Sequence, residues 1–254
     1  TGSIYVHLDY RMVHYIKTLM DEVFGEDNLV NEIIWSYRSG GASKAESLAR
    51  KHDSILLYRK SDAFRVNTKY ERQYLEKSFM GSKQDKKGRF YVDTILRDIL
   101  EGVIHVVENG EIIDYNTRPV LNLSNERLDY ATQKPEGLIA LLLEIASKPT
   151  DLVLDCFAGS GTTCASAQKL DKRWIGVDVN KGAIQVTSKR IQKIIKDQGK
   201  NEKYPTFAIY KVNNYDLRIL HTEAKELAIQ QYGITSTKTD PFFDGIRDSN
   251  ELVK

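Results

Sequence analysis

The stretch Leu152-Val153-Leu154-Asp155-Cys156-Phe157-Ala158-Gly159-Ser160-Gly161-Thr162-Thr163 decides how this chain is read. A short apolar run ends on an aspartate, passes through a glycine-rich loop and enters a helix of small residues over 162–170. Trp174–Val177 is a second short apolar run, ending on Asp178, and Ala183–Ile195 repeats apolar residues at helical spacing. Phe207–Val212 reads as a third strand. Strand, loop, helix, strand, helix, strand predicts a parallel α/β sheet with right-handed crossovers. Upstream, Lys134-Pro135-Glu136 opens a helix with proline near its first turn, and Leu138, Leu141, Leu142 and Ile145 form its apolar face.

Glycines in such a loop let the backbone approach a ligand closely, and the helix N-terminus favours a carboxylate or phosphate. A nucleotide P-loop ends in Gly-Lys-Ser/Thr, and no lysine stands near Gly161, so that ligand fails. A dinucleotide fingerprint needs a third glycine where this chain has Cys164. A cofactor without pyrophosphate is left, beside the plain alternative of a tight turn with no ligand. S-adenosyl-L-methionine (SAM) is such a cofactor, with a carboxylate, a sulfonium and a ribose bearing two free hydroxyls. Asp178, 17 residues past Gly161, is placed to accept from those hydroxyls.

The remaining sequence sets bounds. The 254 residues allow one large or two small domains, and 41% hydrophobic with 28% charged content is globular rather than disordered. No run approaches the roughly 18–20 apolar residues of a membrane span, and residues 1–10 do not read as a signal peptide. Two cysteines, Cys156 and Cys164, neither staple a secreted scaffold nor complete a zinc site, and are expected to pack as small core residues. The five histidines show no ligand spacing, so no metal is expected. These features predict a soluble protein of a reducing, cytoplasm-like compartment, without a membrane partner. The chain opens at Thr1-Gly2-Ser3 without an initiator Met and runs straight into Ile4-Tyr5-Val6-His7-Leu8, as a fragment would.

Residues 3–8 read as a strand and 10–24 as a helix buried through Val13, Ile16, Leu19, Met20 and Val23, stopped by Gly25. Strands follow at Glu32–Tyr37 and Ser54–Arg59, around the flexible Ser39-Gly40-Gly41-Ala42-Ser43. A hairpin pairs Val103–Val107 with Glu111–Tyr115 through Asn109-Gly110, and one more helix is read over Thr222–Tyr232. Charge is uneven. Trp35–Arg97 holds 15 Lys/Arg against 7 Asp/Glu, inside a chain whose net charge is only +2. Such a block suits a polyanion, a solvated lysine-rich loop being the plain alternative. Arg38, Lys44, Lys83, Lys86, Lys87 and Arg89 are its candidate contacts. Tyr70, Tyr74, Phe79, Phe90 and Tyr91 are expected to be the core of a small subdomain.

DCFAGSGTT at 155–163, TQKPEGLIALLLEIAS at 132–147 and WIGVDVN at 174–180 together resemble the SAM-binding half of DNA amino-methyltransferases. TGSIYVHLD at 1–9 and NEIIWSYRSGG…KHDSILLYRK at 31–60 resemble segments preceding that half in the β-group of these enzymes. The resemblance implies a Rossmann-like α/β sheet in permuted order, with a target-recognition region inserted. Residues 1–60 would be the end of the catalytic half, 61–130 the target-recognition region, 131–215 the SAM half and 216–254 an extension. It implies SAM as cofactor and double-stranded DNA as partner, with a restriction subunit or a second copy of the chain left open.

The family's roles fall on matching positions. Phe157 would lie against SAM, with Gly159, Ser160 and Gly161 around its methionyl part and Asp155 near the methionyl amine. Asp178 would bind the ribose, and Thr132, Gln133, Lys134 and Thr162 would line the carboxylate end. The family's catalytic Asp/Asn/Ser-Pro-Pro-Tyr/Phe/Trp motif is absent: the prolines are 119, 135, 149, 205 and 241. Asp240-Pro241-Phe242-Phe243 lacks the second proline and follows polar residues rather than an apolar strand. The motif is expected upstream of Thr1, on a central strand that this chain lacks, which would leave the chain inactive by itself. Adenine N6 is favoured over cytosine N4 as the target; a non-catalytic specificity subunit and an RNA or small-molecule methyltransferase are the alternatives.

Overall fold

The computed structural model describes residues 2–38, 48–121, 124, 126–128, 130, 132–198 and 206–212, with the backbone of 234–236, 245–247 and 251–253. Lys44, the 222–232 segment and Asp240-Pro241-Phe242-Phe243 lie outside the described residues. The chain divides into two compact units, Thr1–Tyr204 and Pro205–Lys254.

In the first unit the continuous apolar run of β3 (His52–Arg59) can be buried only on both faces, so it takes a central place. It pairs antiparallel with β1 (Ser3–Leu8) and β2 (Leu29–Ser36), and β7 (Ile99–Glu101) extends the sheet parallel to β2. Ile55, Leu56, Leu57 and Tyr58 are fully buried there. One face is covered by α1 (Val13–Phe24), whose Val13 and Met20 meet Leu56 and Tyr58 with Ile16 and Phe24 alongside. Leu19 and Val23, expected in that stripe, are exposed. The helix turns its 13–16–20–24 row to the sheet, and 19 and 23 sit one step around the cylinder.

The other face is covered by α2 (Glu136–Ala146). Its Leu138, Leu141 and Leu142 join Ile33, Trp35, Ile55 and Leu100 to Ile104, Val106 and Tyr115 in one core. The last three come from a five-stranded antiparallel sheet ordered β5 (Lys83–Gln84), β6 (Phe90–Ile95), β4 (Tyr70–Leu75), β8 (Val103–Glu108) and β9 (Glu111–Asn116). The β8–β9 hairpin turns at Asn109-Gly110 with φ of 51° and 83°, the two positive values that a type I′ turn requires.

Strand period decides what this sheet exposes. With Ile104, Val106 and Tyr115 inward, the register sends Arg72, Tyr74, Tyr91, Asp93, His105 and Asp114 to the opposite face. The expectation that Tyr70, Tyr74, Phe79, Phe90 and Tyr91 form a private core is therefore corrected. Tyr70, Tyr74 and Tyr91 share the outward register, Phe79 is exposed in a loop, and only Phe90 takes the inward register.

The glycine-rich segment folds as read. β10 (Leu152–Asp155) and β11 (Arg173–Gly176) pair in parallel across α3 (Thr162–Lys169), and α4 (Lys181–Gln198) follows. The third strand does not form. Residues 207–212 adopt no strand, and Ile209, Tyr210 and Val212 are exposed, because an apolar alternation becomes a strand only where a sheet edge accepts it. They fall in the second unit, whose described backbone is a three-stranded antiparallel sheet of β12 (Ile234–Ser236), β13 (Gly245–Arg247) and β14 (Glu251–Val253). The first unit thus has a parallel pair, a separate mixed sheet and the five-stranded antiparallel sheet among its described residues, not one continuous parallel sheet. β1 and β7 in the mixed sheet, and β10 and β11 in the parallel pair, each keep one edge without a strand partner among those residues, and Leu152 and Leu154 of β10 and Ile175 of β11 are exposed. No described helix is long and apolar enough to cross a membrane.

Candidate cofactor site and recognition face

The turn after β10 is tied down at every step. Asp155 Oδ1 accepts from the Phe157 amide (2.9 Å), and the Ala158 amide donates to the Val177 carbonyl (2.9 Å). Asp178 accepts from the Gly159 amide at 2.8 Å and from the Asn180 amide at 2.7 Å, so it clamps the loop from the end of the neighbouring strand. Thr187 on α4 donates to the Gly159 carbonyl at 3.1 Å. Gly161, at φ +72°, leaves no room for a side chain, since a Cβ there would stand 2.5 Å from Thr187. The result is a backbone cradle at the start of α3, whose first turn no described side chain caps. Phe157 projects from it 89% exposed, so this ring is not core. Cys164 is buried, with its thiol pushed up to about 12 by burial, whereas Cys156 is exposed, correcting the expectation for that residue.

Behind the cradle lies a network that sequence reasoning missed. Arg190 on α4, 6% exposed, donates to the Ser160 carbonyl (3.1 Å), to Thr162 Oγ1 (3.0 Å) and to Glu136 Oε1 (2.7 Å). Lys169 bonds the other oxygen of Glu136, and Ser160 shares a hydrogen bond with Thr162 at 3.1 Å. Burial pushes the Glu136 carboxyl up, but the bonds from Lys169 and Arg190 outweigh it and hold the group below its usual range. A signal did exist: Arg190 shares the stripe Ala183, Thr187, Arg190, Ile191, Ile194, a charged residue on the face that α4 buries.

The 132–134 segment passes beside the loop. Thr162 donates to the Lys134 carbonyl at 3.3 Å, and Lys134 Nζ donates to the Thr132 carbonyl at 3.3 Å. Lys134 makes no ion pair with a described carboxylate, and burial lowers its pKa although Asp53 pulls the other way. Gln133, expected toward a ligand, instead spends both ends of its amide on backbone, donating to Glu126 O and accepting from Leu128 N. Lys134 also faces a cluster at the carboxyl ends of β1 and β2, 6.0 Å from the Trp35 ring. There His7 Nε2 and Tyr37 Oη hold the two oxygens of Asp53 at 2.9 and 3.2 Å, and His7 stands edge-on to Trp35. Burial lowers the His7 pKa, against the hydrogen bond to Asp53, and nearby Lys134 lowers it further.

The described basic candidates stand on other elements, just past the end of β2 and on the β5–β6 hairpin. Arg38 is exposed and pairs with Glu101 at 2.6 Å. Lys83, Lys86 and Lys87 are exposed, and none forms an ion pair with a described residue. Arg89 differs: it pairs with Asp85 at 2.8 Å and stacks on Tyr74.

A braced glycine turn between two parallel strands, with Asp155 ending the first and Asp178 two residues past the second, is the geometry of a candidate cofactor site in an α/β half. The chain belongs to the N6/N4 methyltransferase family, described as DNA methylase, whose model matches residues 1–189. It is 27% identical over 243 residues to the type II methyltransferase M.EcaI of Enterobacter cloacae, covering 74% of this chain and 53% of that protein. It is 27% identical over 208 residues to the DNA adenine methyltransferase YhdJ of Escherichia coli K12, covering 75% and 60%. Among solved structures, the M1.HpyAVI–SAM complex superposes with a TM-score of 0.46 at 18% identity, over 75% of this chain and 74% of that one. The chain spans about half the length of the curated relatives it matches, 53% for M.EcaI and 57% for M1.MboII of Moraxella bovis.

Proposed function

We propose that this chain is the cofactor-binding and target-recognition portion of a cytoplasmic DNA methyltransferase that moves a methyl group from SAM to an exocyclic amine, adenine N6 in preference to cytosine N4. The braced 155–163 loop carries this reading: its backbone is held open by Asp178, Thr187 and Arg190, and Phe157 stands bare above it. Those residues fit SAM. The uncapped start of α3 and the Lys134 ammonium suit its carboxylate, and Asp178 retains lone pairs for the ribose hydroxyls. The Phe157 ring is free to lie against the cofactor. When bound, SAM supplies an electrophilic methyl on sulfonium. Adenine N6 is preferred because YhdJ bears the name of an adenine enzyme.

An aromatic amine is a poor nucleophile because its lone pair is delocalised, so an acceptor must draw on its protons while an aromatic ring holds the extruded base. The family's Pro-Pro motif that does this is absent from these 254 residues. The unpaired edges of β1 and β10 support placing it on a strand between them, since open edges leave backbone donors and acceptors to be satisfied. Residues 61–130 then form the target-recognition region and meet duplex DNA.

Tritiated SAM and mixed-sequence duplex test this. The full-length protein should label DNA at an amino nitrogen, while these 254 residues alone should read background. Turnover by the short chain that Asp240→Ala abolishes would restore the Asp240 motif as catalytic. A full-length protein that binds duplex but never labels it would favour the specificity-subunit reading. Within the site, Asp178→Ala should weaken SAM binding by about 1–3 kcal/mol, the cost of unpaired polar partners. Calorimetry showing unchanged affinity would remove Asp178 from the site.

A further inference from the structure

Among the basic residues of the β5–β6 hairpin, Arg89 is built differently from the lysines around it. The loop that presents it is closed by its own backbone: the Gly88 amide donates to the Asp85 carbonyl, and the Asp85 amide to the Arg89 carbonyl, both at 3.0 Å. The Asp85 carboxylate accepts from the Lys87 and Arg89 amides at 2.9 Å each, and from Arg89 Nε at 2.8 Å. The guanidinium then lies over the Tyr74 ring, 3.9 Å from its centroid, and Nη2 donates to the Tyr74 hydroxyl at 2.8 Å. Tyr74 is itself flanked by Tyr91 and His105, with ring centroids 6.5 and 5.5 Å away, and His105 is held by Asp114 at 2.7 Å.

A long, flexible side chain is thus oriented before any partner arrives. It nevertheless stays half exposed, at 50%, with Nη1 bonded to no described residue. The adjacent Arg72 is the contrast. It spends Nε and Nη2 on both oxygens of Asp93 while stacked 3.7 Å from the Tyr91 centroid, and only 14% of it is exposed. Arg72 is largely buried in holding the sheet face together, whereas Arg89, whose Nε and Nη2 bond Asp85 and Tyr74, is half exposed and keeps Nη1 without a bond to a described residue.

Charge decides what those donors fit. Lys83, Lys86 and Lys87 form no ion pair with a described residue, so a phosphate meeting them is attracted and releases counterions. Arg89 carries its own counter-charge, and bringing it to a phosphate also brings the Asp85 carboxylate. A neutral edge offering two acceptors meets no such repulsion, and in the major groove guanine alone presents two, N7 and O6. We propose that Arg89, positioned by Asp85 and Tyr74, reads a guanine of the recognised site, while the three lysines hold phosphates. This rests on the reading of 61–130 as the target-recognition region.

The test is selection of bound duplexes from a randomised library by the full-length protein with SAM, read by sequencing, for wild type, Arg89→Lys, Arg89→Gln and Asp85→Asn. Thermal melting checks that each variant folds. Wild type should select a motif containing guanine. Both Arg89 variants should lose roughly 5- to 150-fold of the discrimination at one guanine, keeping the other positions and the salt slope. Asp85→Asn should relax the same guanine and raise binding to random duplex, because it uncovers a positive charge. An unchanged motif in the Arg89 variants would sink the proposal, and a salt slope lower by about 0.9 in Arg89→Gln, which loses the charge that Arg89→Lys keeps, would make Arg89 a phosphate contact while leaving this sheet on DNA. Loss of preference at a base other than guanine, or no motif from wild type, also overturns it. If neither the Arg89 variants nor removal of the three lysines alters DNA binding, the recognition-region reading itself fails.

Discussion

Glu136→Ala should destabilise the protein by about 3–5 kcal/mol, the cost of breaking a buried ion pair from one side. Arg190 would keep its bonds to the Ser160 carbonyl and Thr162 hydroxyl, but neither neutralises a guanidinium that is 6% exposed. Its charge would remain in the protein without a carboxylate. Because the same guanidinium fastens Ser160 and Thr162, the loss should also loosen the cofactor cradle. Replacing both partners, Glu136→Leu with Arg190→Met, should recover much of the stability, since the buried guanidinium goes with its carboxylate and the Lys169 ammonium left behind is half exposed to water. Urea unfolding of the single and double variants separates the two effects. A single-variant loss within about 0.5 kcal/mol, as at ordinary surface positions, would show that the pair stabilises little.

The same pair sets an acid limit. The Glu136 carboxyl is held below its unfolded value, so its contribution is complete above the ordinary Glu range, about 4.3, and is lost as pH falls through the folded value. Glu136→Gln should flatten that acid arm of the stability curve and leave its shape at neutral pH unchanged.

Replacing Lys83, Lys86 and Lys87 together with Ser should lower the slope of log K against log salt by up to roughly 3, at about 0.9 for each phosphate that a lysine no longer neutralises. All three are exposed on the β5–β6 hairpin and belong to a segment with 15 basic against 7 acidic residues. Phosphate contacts set position rather than sequence, so specific and random duplexes should lose affinity alike. Fluorescence anisotropy of the full-length protein across a salt series measures both. An unchanged slope would mean that these lysines are only a solvated loop and that DNA lies elsewhere.

Much of this fold was legible because local chemistry specified it. A glycine-rich turn between an apolar strand and a small-residue helix, Asn109-Gly110 between alternating runs, and the unbroken apolar run of residues 55–58 each dictate one structure from within a few residues. The glycine loop was readable for the same reason, whereas the roles of Phe157, Asp155, Lys134 and Thr162 around it came from the family resemblance. Gly161 is required where a side chain would collide with Thr187 of α4.

What the sequence by itself determined, then, is local: strand–loop–helix order, the turn chemistry, the cradle and the basic block. Only the tertiary structure decided the rest, because it depends on which distant surfaces meet. Residues 136 and 190 lie 54 positions apart, and only the packing of α2 and α4 on α3 makes them one ion pair. Gln133 was placed toward the cofactor by the family resemblance, and only the fold shows the 126–128 backbone bonded to both ends of its amide. Tyr74 and Tyr91 read as core by their apolarity, but burying Ile104, Val106 and Tyr115 against α2 fixed the sheet's inner face, and the two-residue period then sent those tyrosines outward, where Arg89 and Arg72 could stack on them.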